Sequence, residues 1–267
     1  MRRPIGVFDS GLGGLTVVKA LMKRLPAEDI VYYGDTAHLP YGSKSKESII
    51  RFSLRNAEIL LRYDIKVMVV ACNSSSSYAL AAIKKAVPIP VVGVIEPSAA
   101  KAVAVSKNKK VGIIATHATI NSQAYIKAIH RLDSSVRIFA NAAGLLVPLV
   151  EEGWVNSPIA VKIVRQYLQP LRGKKIDTLI LGCTHYPLLK PVFRKILGPS
   201  VTLIDAAVET ASRVEDILKE KEVVAERRAG RLKCFISDRP QEFESIARRF
   251  LAFPRRKDIK FRLLREE

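Results

Sequence analysis

The stretch Lys66 to Ala71 reads Lys-Val-Met-Val-Val-Ala, apolar at every position after the first. A strand with one wet face alternates apolar and polar residues, so a strand without alternation must be covered on both faces, as in a parallel sheet between helices. Runs of strand length recur along the chain: Ile5 to Asp9, Asp29 to Tyr33, Lys66 to Ala71 and Val91 to Val94. Segments of helical period separate them. Leu15 to Leu25 gathers Val18, Leu21, Met22 and Leu25 on one stripe, and Lys46 to Tyr63 does the same with Ile49, Ile50, Leu54, Ala57, Leu60 and Leu61. Ser75 to Val87 continues the alternation as a helix. This repetition predicts an α/β protein with parallel sheets.

The series restarts after Pro97. Lys110 to Ala115, Val136 to Ala140, Asp177 to Leu181 and Val201 to Ile204 read as strands, and Asn121 to Leu132, Ile159 to Leu171 and Leu188 to Leu197 as helices. Ile5-Gly6-Val7-Phe8-Asp9-Ser10 and Val111-Gly112-Ile113-Ile114-Ala115-Thr116 open the two series alike. The chain therefore reads as two related parallel-sheet α/β domains. The first is 1–97 completed by a C-terminal return over 207–267, and the second is 98–206. Within the return, a helix is predicted over about Glu209 to Lys221, a strand over Leu232 to Ile236, a helix over Gln241 to Leu251 and an edge strand over Ile259 to Leu263.

No apolar stretch approaches the roughly 18 to 20 residues of a membrane span. Met1-Arg2-Arg3-Pro4 runs straight into a strand, without the apolar region and small-residue cleavage site of a secretory signal. Three cysteines, none closely spaced, do not make a disulfide framework and fit a reducing compartment. The expectation is a soluble cytoplasmic protein. The net charge of +19 invites a nucleic-acid partner. Yet Lys and Arg recur on most predicted helices, and even in the dense tail Glu220, Glu222, Glu226, Glu242 and Glu244 are interleaved with Arg227, Arg228, Arg231, Arg248, Arg249, Arg255, Arg256 and Lys257. With no DNA-reading motif, a solvated basic surface is expected and nucleic acid is not.

Two of the strand runs end alike, as Ala71-Cys72-Asn73-Ser74 and Gly182-Cys183-Thr184-His185. Ligands of open α/β sheets collect outside the carboxyl ends of strands. Asn, Ser and Thr there cap the following helix, whose positive end suits an anion and would lower a nearby thiol's pKa. One such cysteine is ordinary packing; a matched pair suggests two groups facing one substrate. Zinc would need further ligands at close spacing, which neither cysteine has, and a cysteine hydrolase would leave one thiol idle. Two opposed acid/base groups use both, one removing a proton from a carbon and the other delivering one to its opposite face. Asp9 and Ser10 end the first strand beside Gly11, Gly13 and Gly14; Thr16 stands where a dinucleotide fingerprint requires its third glycine. Asp9 either tunes Cys72 or caps a turn, and His185 either tunes Cys183 or is structural. Tyr41 and Gly42 lie in a polar loop, Glu151 precedes a glycine-containing turn, and Thr116 and Thr119 either donate to a ligand or cap a helix.

The motifs Phe8-Asp9-Ser10-Gly11-Leu12-Gly13-Gly14, Pro40-Tyr41-Gly42, Ala71-Cys72-Asn73, Val147-Pro148-Leu149-Val150-Glu151-Glu152-Gly153 and Gly182-Cys183-Thr184-His185-Tyr186-Pro187, in this order, resemble bacterial glutamate racemases. The resemblance runs to about Ile204. It implies a cofactor-independent enzyme interconverting L- and D-glutamate for peptidoglycan precursors, with a site in the cleft between two α/β domains and a homodimeric assembly. No pyridoxal phosphate site is recognised in the sequence. Carried across, Cys72 would act on D-glutamate and Cys183 on L-glutamate. Asp9, Ser10, Tyr41, Gly42, Asn73, Ser74, Thr184 and His185 would bind substrate or tune the thiols, with Thr116, Thr119 and Glu151 in support. His185 favours glutamate over aspartate as substrate; aspartate or another superfamily substrate is the alternative. The chain departs from the family pattern at Ser74-Ser75, where Thr-Ala is usual, and at Ala143-Gly144-Leu145-Leu146, where Cys-Pro-apolar-Phe is usual.

Overall fold

The computed structural model describes residues 3–225, 229–238, 243–251 and 261–264. The strands are β1 (Ile5–Asp9), β2 (Ile30–Gly34), β3 (Val67–Val70), β4 (Val91–Gly93), β5 (Lys110–Ala115), β6 (Arg137–Ala142), β7 (Thr178–Gly182), β8 (Thr202–Asp205), β9 (Leu232–Ile236) and β10 (Phe261–Leu263). The helices are α1 (Leu15–Arg24), α2 (Lys46–Leu61), α3 (Asn73–Tyr78), α4 (Leu80–Ala86), α5 (Ile95–Val105), α6 (His117–Asn121), α7 (Ala124–Leu132), α8 (Leu146–Glu151), α9 (Pro158–Leu168), α10 (Lys190–Leu197), α11 (Ala206–Glu220) and α12 (Phe243–Leu251). Residues 241–242 and 259–260 of the predicted tail elements lie outside the described residues, as do Met1 and Arg2, Arg227 and Arg228, and Arg255, Arg256 and Lys257.

Two sheets form, in the orders β10-β9-β2-β1-β3-β4 and β6-β5-β7-β8, and every pairing is parallel. The order β2-β1-β3-β4 in one is the order β6-β5-β7-β8 in the other. The two strands with similar openings, β1 and β5, thus occupy corresponding places. The unbroken apolar runs also explain themselves: β1, β2, β3 and β7 are buried at every position, whereas the edge strands β6 and β8 are partly exposed. One large core runs through both sheets, joining Ile5, Val7 and Val69 to Val111, Leu179 and Phe193. A second covers the other face of the first sheet around Phe8, Tyr33, Leu60 and Met68.

Several predicted helices are redrawn. The segment Ser75 to Val87 begins earlier, at Asn73, and breaks at Ala79 into α3 and α4. Its serines turn onto the backbone: Ser76 Oγ donates to Val70 O at 2.9 Å and Ser77 Oγ to Asn73 O at 2.7 Å, the side-chain competition that weakens serine-rich helices. Asn121 to Leu132 breaks at Gln123, whose φ of 56° is left-handed. Two helices have no counterpart in the sequence reading. The buried positions of α5 include Ser98 and two alanines, a faint stripe, and α8 is six residues long with Pro148 inside it.

Candidate active site

The carboxyl ends of β1 and β3 in one sheet, and of β5 and β7 in the other, face a common cavity of about 410 Å³. Each pair is central, with chain connections leaving in opposite directions, where open α/β sheets collect ligands. Cys72 and Cys183 both line it. So do Ser10, Tyr41, Gly42, Asn73 and Ser74 from the first sheet's loops, and Thr116, Glu151, Thr184 and His185 from the second's. Asp9 and Thr119 are not in the wall; both are buried directly behind it. Among the described residues no Lys or Arg lines it.

The two thiols sit in unlike surroundings. Cys72 is 5% exposed and donates to Ser10 Oγ at 3.5 Å. Burial, then the neighbouring Asp9 carboxylate, push it up to about 11, against the pull of the Ser75 amide and the Ser10 and Ser75 hydroxyls. The sequence expectation that the helix start would lower its pKa is thus overturned, because loss of hydration outweighs the helix amides. Asp9 is itself raised by burial, although His185 and the amides of Gly14, Gly11 and Ser10 oppose this.

Cys183 instead lies 3.8 Å from His185 Nδ1, and His185 Nε2 donates to Glu151 Oε1 at 2.9 Å. Burial alone would lower the imidazole; hydrogen bonds to Cys183 and Glu151 outweigh it and push the ring up to about 10. The ring thus bridges the Cys183 sulfur and the Glu151 carboxylate. The ring's edge meets Phe250, and Arg249 Nη1 donates to Glu151 O at 2.8 Å, so α12 of the C-terminal return backs this half of the site.

The walls are tied together across the sheets. Ser74 Oγ and Thr116 Oγ1 are 3.1 Å apart, and Thr116 in turn donates to Thr119 Oγ1 at 3.1 Å while capping α6. Thr16 Oγ1 reaches Gly13 O and Thr184 O. Tyr41 donates to Asp35, which also accepts from His38 at 2.8 Å and Ser237 at 2.9 Å. Asn73 Oδ1 accepts from Tyr125 at 2.8 Å, whereas its buried Nδ2 has no hydrogen-bond partner. A buried amide donor left unpaired costs on the order of 1–3 kcal/mol until a ligand acceptor meets it. Among the described residues no group of three or more His, Cys, Asp or Glu side chains has the arrangement of a metal site. No helix among them is long and apolar enough to cross a membrane.

A family model described as Asp/Glu/Hydantoin racemase matches residues 5–214. The chain belongs to that racemase family. A glutamate racemase of Geobacter metallireducens is 49% identical over 250 residues, 93% of each chain. Among solved structures, a glutamate racemase from Bacillus anthracis superposes with a TM-score of 0.94 at 40% identity, covering 98% of this chain and 97% of that one. One from Francisella tularensis in complex with D-glutamate gives 0.92 at 37% identity, with 98% and 97% covered. Relatives of this similarity over nearly the whole chain make this racemase an isomerase of the glutamate racemase type.

Some of the racemase's site was not read from sequence. Asp35 follows β2, and the strand-end rule that singled out Asp9 applies to it equally. Val147 and Pro148 line the cavity from α8, and His117 and Gly144 from the second sheet's loops. Tyr125 and Thr16 carry no local signal, because they reach the site from helices whose other residues are ordinary core.

Proposed function

We propose that the chain interconverts L- and D-glutamate without a cofactor, using Cys72 and Cys183 as opposed bases. The supporting observation is two thiols from different sheets on the wall of one cavity. Removing the α-proton breaks the C–H bond, forms an S–H bond on one cysteine and leaves the electron pair on the α-carbon and its carboxylate. The opposite thiol then gives its proton to the other face, breaking its S–H bond and forming the new C–H bond. The two sulfurs end with exchanged protonation. Charge developing on the carboxylate is met by groups fixed beforehand at the two strand ends, among them Asn73 and the Thr184 hydroxyl, which bind most strongly where charge is greatest.

Because enantiomers have equal free energies, kcat/KM must be the same in both directions. The unlike settings of the thiols therefore act on kcat and KM separately. With Cys72 held as a thiol beside Ser10 and Cys183 placed against His185, the two faces of the site are chemically unlike. Ser10 and Asp9 bear on Cys72, His185 and Glu151 on Cys183, while Tyr41 and Gly42 close one side and Thr119 holds Thr116. The reading divides the chain into 1–97 with 207–267, and 98–206. It places the enzyme in the cytoplasm as a homodimer, making D-glutamate for peptidoglycan precursors.

Cys72→Ala and Cys183→Ala should each lower racemisation by about 10²- to 10⁴-fold or more. In heavy water, Cys72→Ala should still place deuterium on L-glutamate without loss of optical rotation, and Cys183→Ala should do so with D-glutamate. The wild-type gene, and neither variant, should support growth of a D-glutamate auxotroph. Near-normal racemisation by either single variant would rule out the two-thiol scheme.

A further inference from the structure

Tyr125 touches both cysteine-bearing segments without lining the cavity. It is 2% exposed and stands in the first turn of α7, which the left-handed turn at Gln123 sets at a new angle to α6. Its ring lies over Gly182, the residue before Cys183: a Cβ on that glycine would come within 3.2 Å of Tyr125 Cε2 and 2.8 Å of the Ala115 Cβ. Its hydroxyl donates to Oδ1 of Asn73, the residue after Cys72, at 2.8 Å. One rigid side chain therefore spans the ends of β7 and β3, which belong to different sheets.

We infer that Tyr125 is a positioning residue that sets the two cysteine segments against each other and holds the Asn73 carboxamide in place. A carboxamide is planar, so fixing Oδ1 fixes Nδ2. With Oδ1 held by the phenol, Nδ2 is left buried and without a hydrogen-bond partner. Burial keeps the phenol protonated, so it remains a donor over the whole working pH range. Tyr125 thereby anchors Asn73 only when the two halves are together.

The inference rests on the racemase reading, and its test separates the two. Tyr125→Phe removes the hydroxyl and keeps the ring over Gly182. It should raise KM for both enantiomers roughly 3- to 10-fold, the loss expected for one hydrogen bond, while kcat changes less. The side-chain NH₂ signals of Asn73, assigned by their disappearance in Asn73→Ser, should shift and broaden in Tyr125→Phe as the amide gains a second orientation. In an Asn73→Ser background the added Tyr125→Phe change should have no further effect on KM. Unchanged KM and unchanged Asn73 signals, or an undiminished effect in the Asn73→Ser background, would overturn the proposal while leaving racemisation intact. Absence of glutamate racemisation in the wild type would instead overturn the reading beneath it.

Discussion

His185 is buried and yet pushed up to about 10, because Cys183 and Glu151 give its charged form more than burial removes. Its proton is bound more tightly in the folded chain than in the unfolded one, where the ordinary value is 6.5. The stabilisation is therefore complete below pH 6.5, wanes as pH rises, and is gone once pH passes about 10. Melting temperatures of the wild type and His185→Asn, compared from pH 6 upward, should differ most at the acid end and converge toward pH 10. A gap independent of pH would mean that the ring contributes only packing. The sequence exposed this residue through its place after Cys183, but not its charge. That depends on Glu151, 34 positions away in the chain, reaching Nε2 from α8. Cys72 shows the converse. Its position at the start of α3 was legible, while its raised pKa was not, because burial and the Asp9 carboxylate are properties of the folded surroundings.

At the scale of elements, the strands were legible because a strand buried on both faces has no room for polar residues. The helices were less so wherever their periodicity was short or interrupted, as at Ala79, Gln123 and α8. The loop between β1 and α1 shows how close the halves approach. A Cβ on Gly13 would lie 2.5 Å from His185 Nδ1 and closer still to Thr184 Oγ1. Glycine at that place is thus a condition of contact between a loop of the first sheet and the Cys183 segment of the second. Gly13→Ala should destabilise the protein by about 1–3 kcal/mol, the usual cost of overpacking. It should also raise KM, by moving Thr184 and His185 off the cavity wall. Urea unfolding and steady-state kinetics on the same preparation would check this, and no change in either would show that the two loops separate at little cost.

For the whole molecule, charge and site are distributed differently. The chain carries a net charge of +19, yet among the described residues no Lys or Arg lines the cavity. The Lys and Arg side chains thus act on an anionic substrate through the summed field around the protein, while amides, hydroxyls and the paired His185 line the cavity itself. A field of that kind is long-ranged at low salt and fades as the screening length shortens from roughly 30 Å at 0.01 M to 8 Å at 0.15 M. Donors inside a closed cavity are screened far less. Raising sodium chloride over this range should therefore raise KM for glutamate by roughly 2- to 5-fold, within the reach of electrostatic steering, and leave kcat nearly unchanged. Replacing exposed lysines far from the cavity with glutamine, several at once, should flatten that dependence without altering the deuterium exchange that reports on the thiols. If KM were indifferent to salt, the basic surface would take no part in capturing the substrate, and solubility would be the remaining physical reason for so unbalanced a charge. If kcat fell together with the rise in KM, salt would be acting inside the site, and the division between a basic exterior that captures and a cavity wall that reacts would not hold.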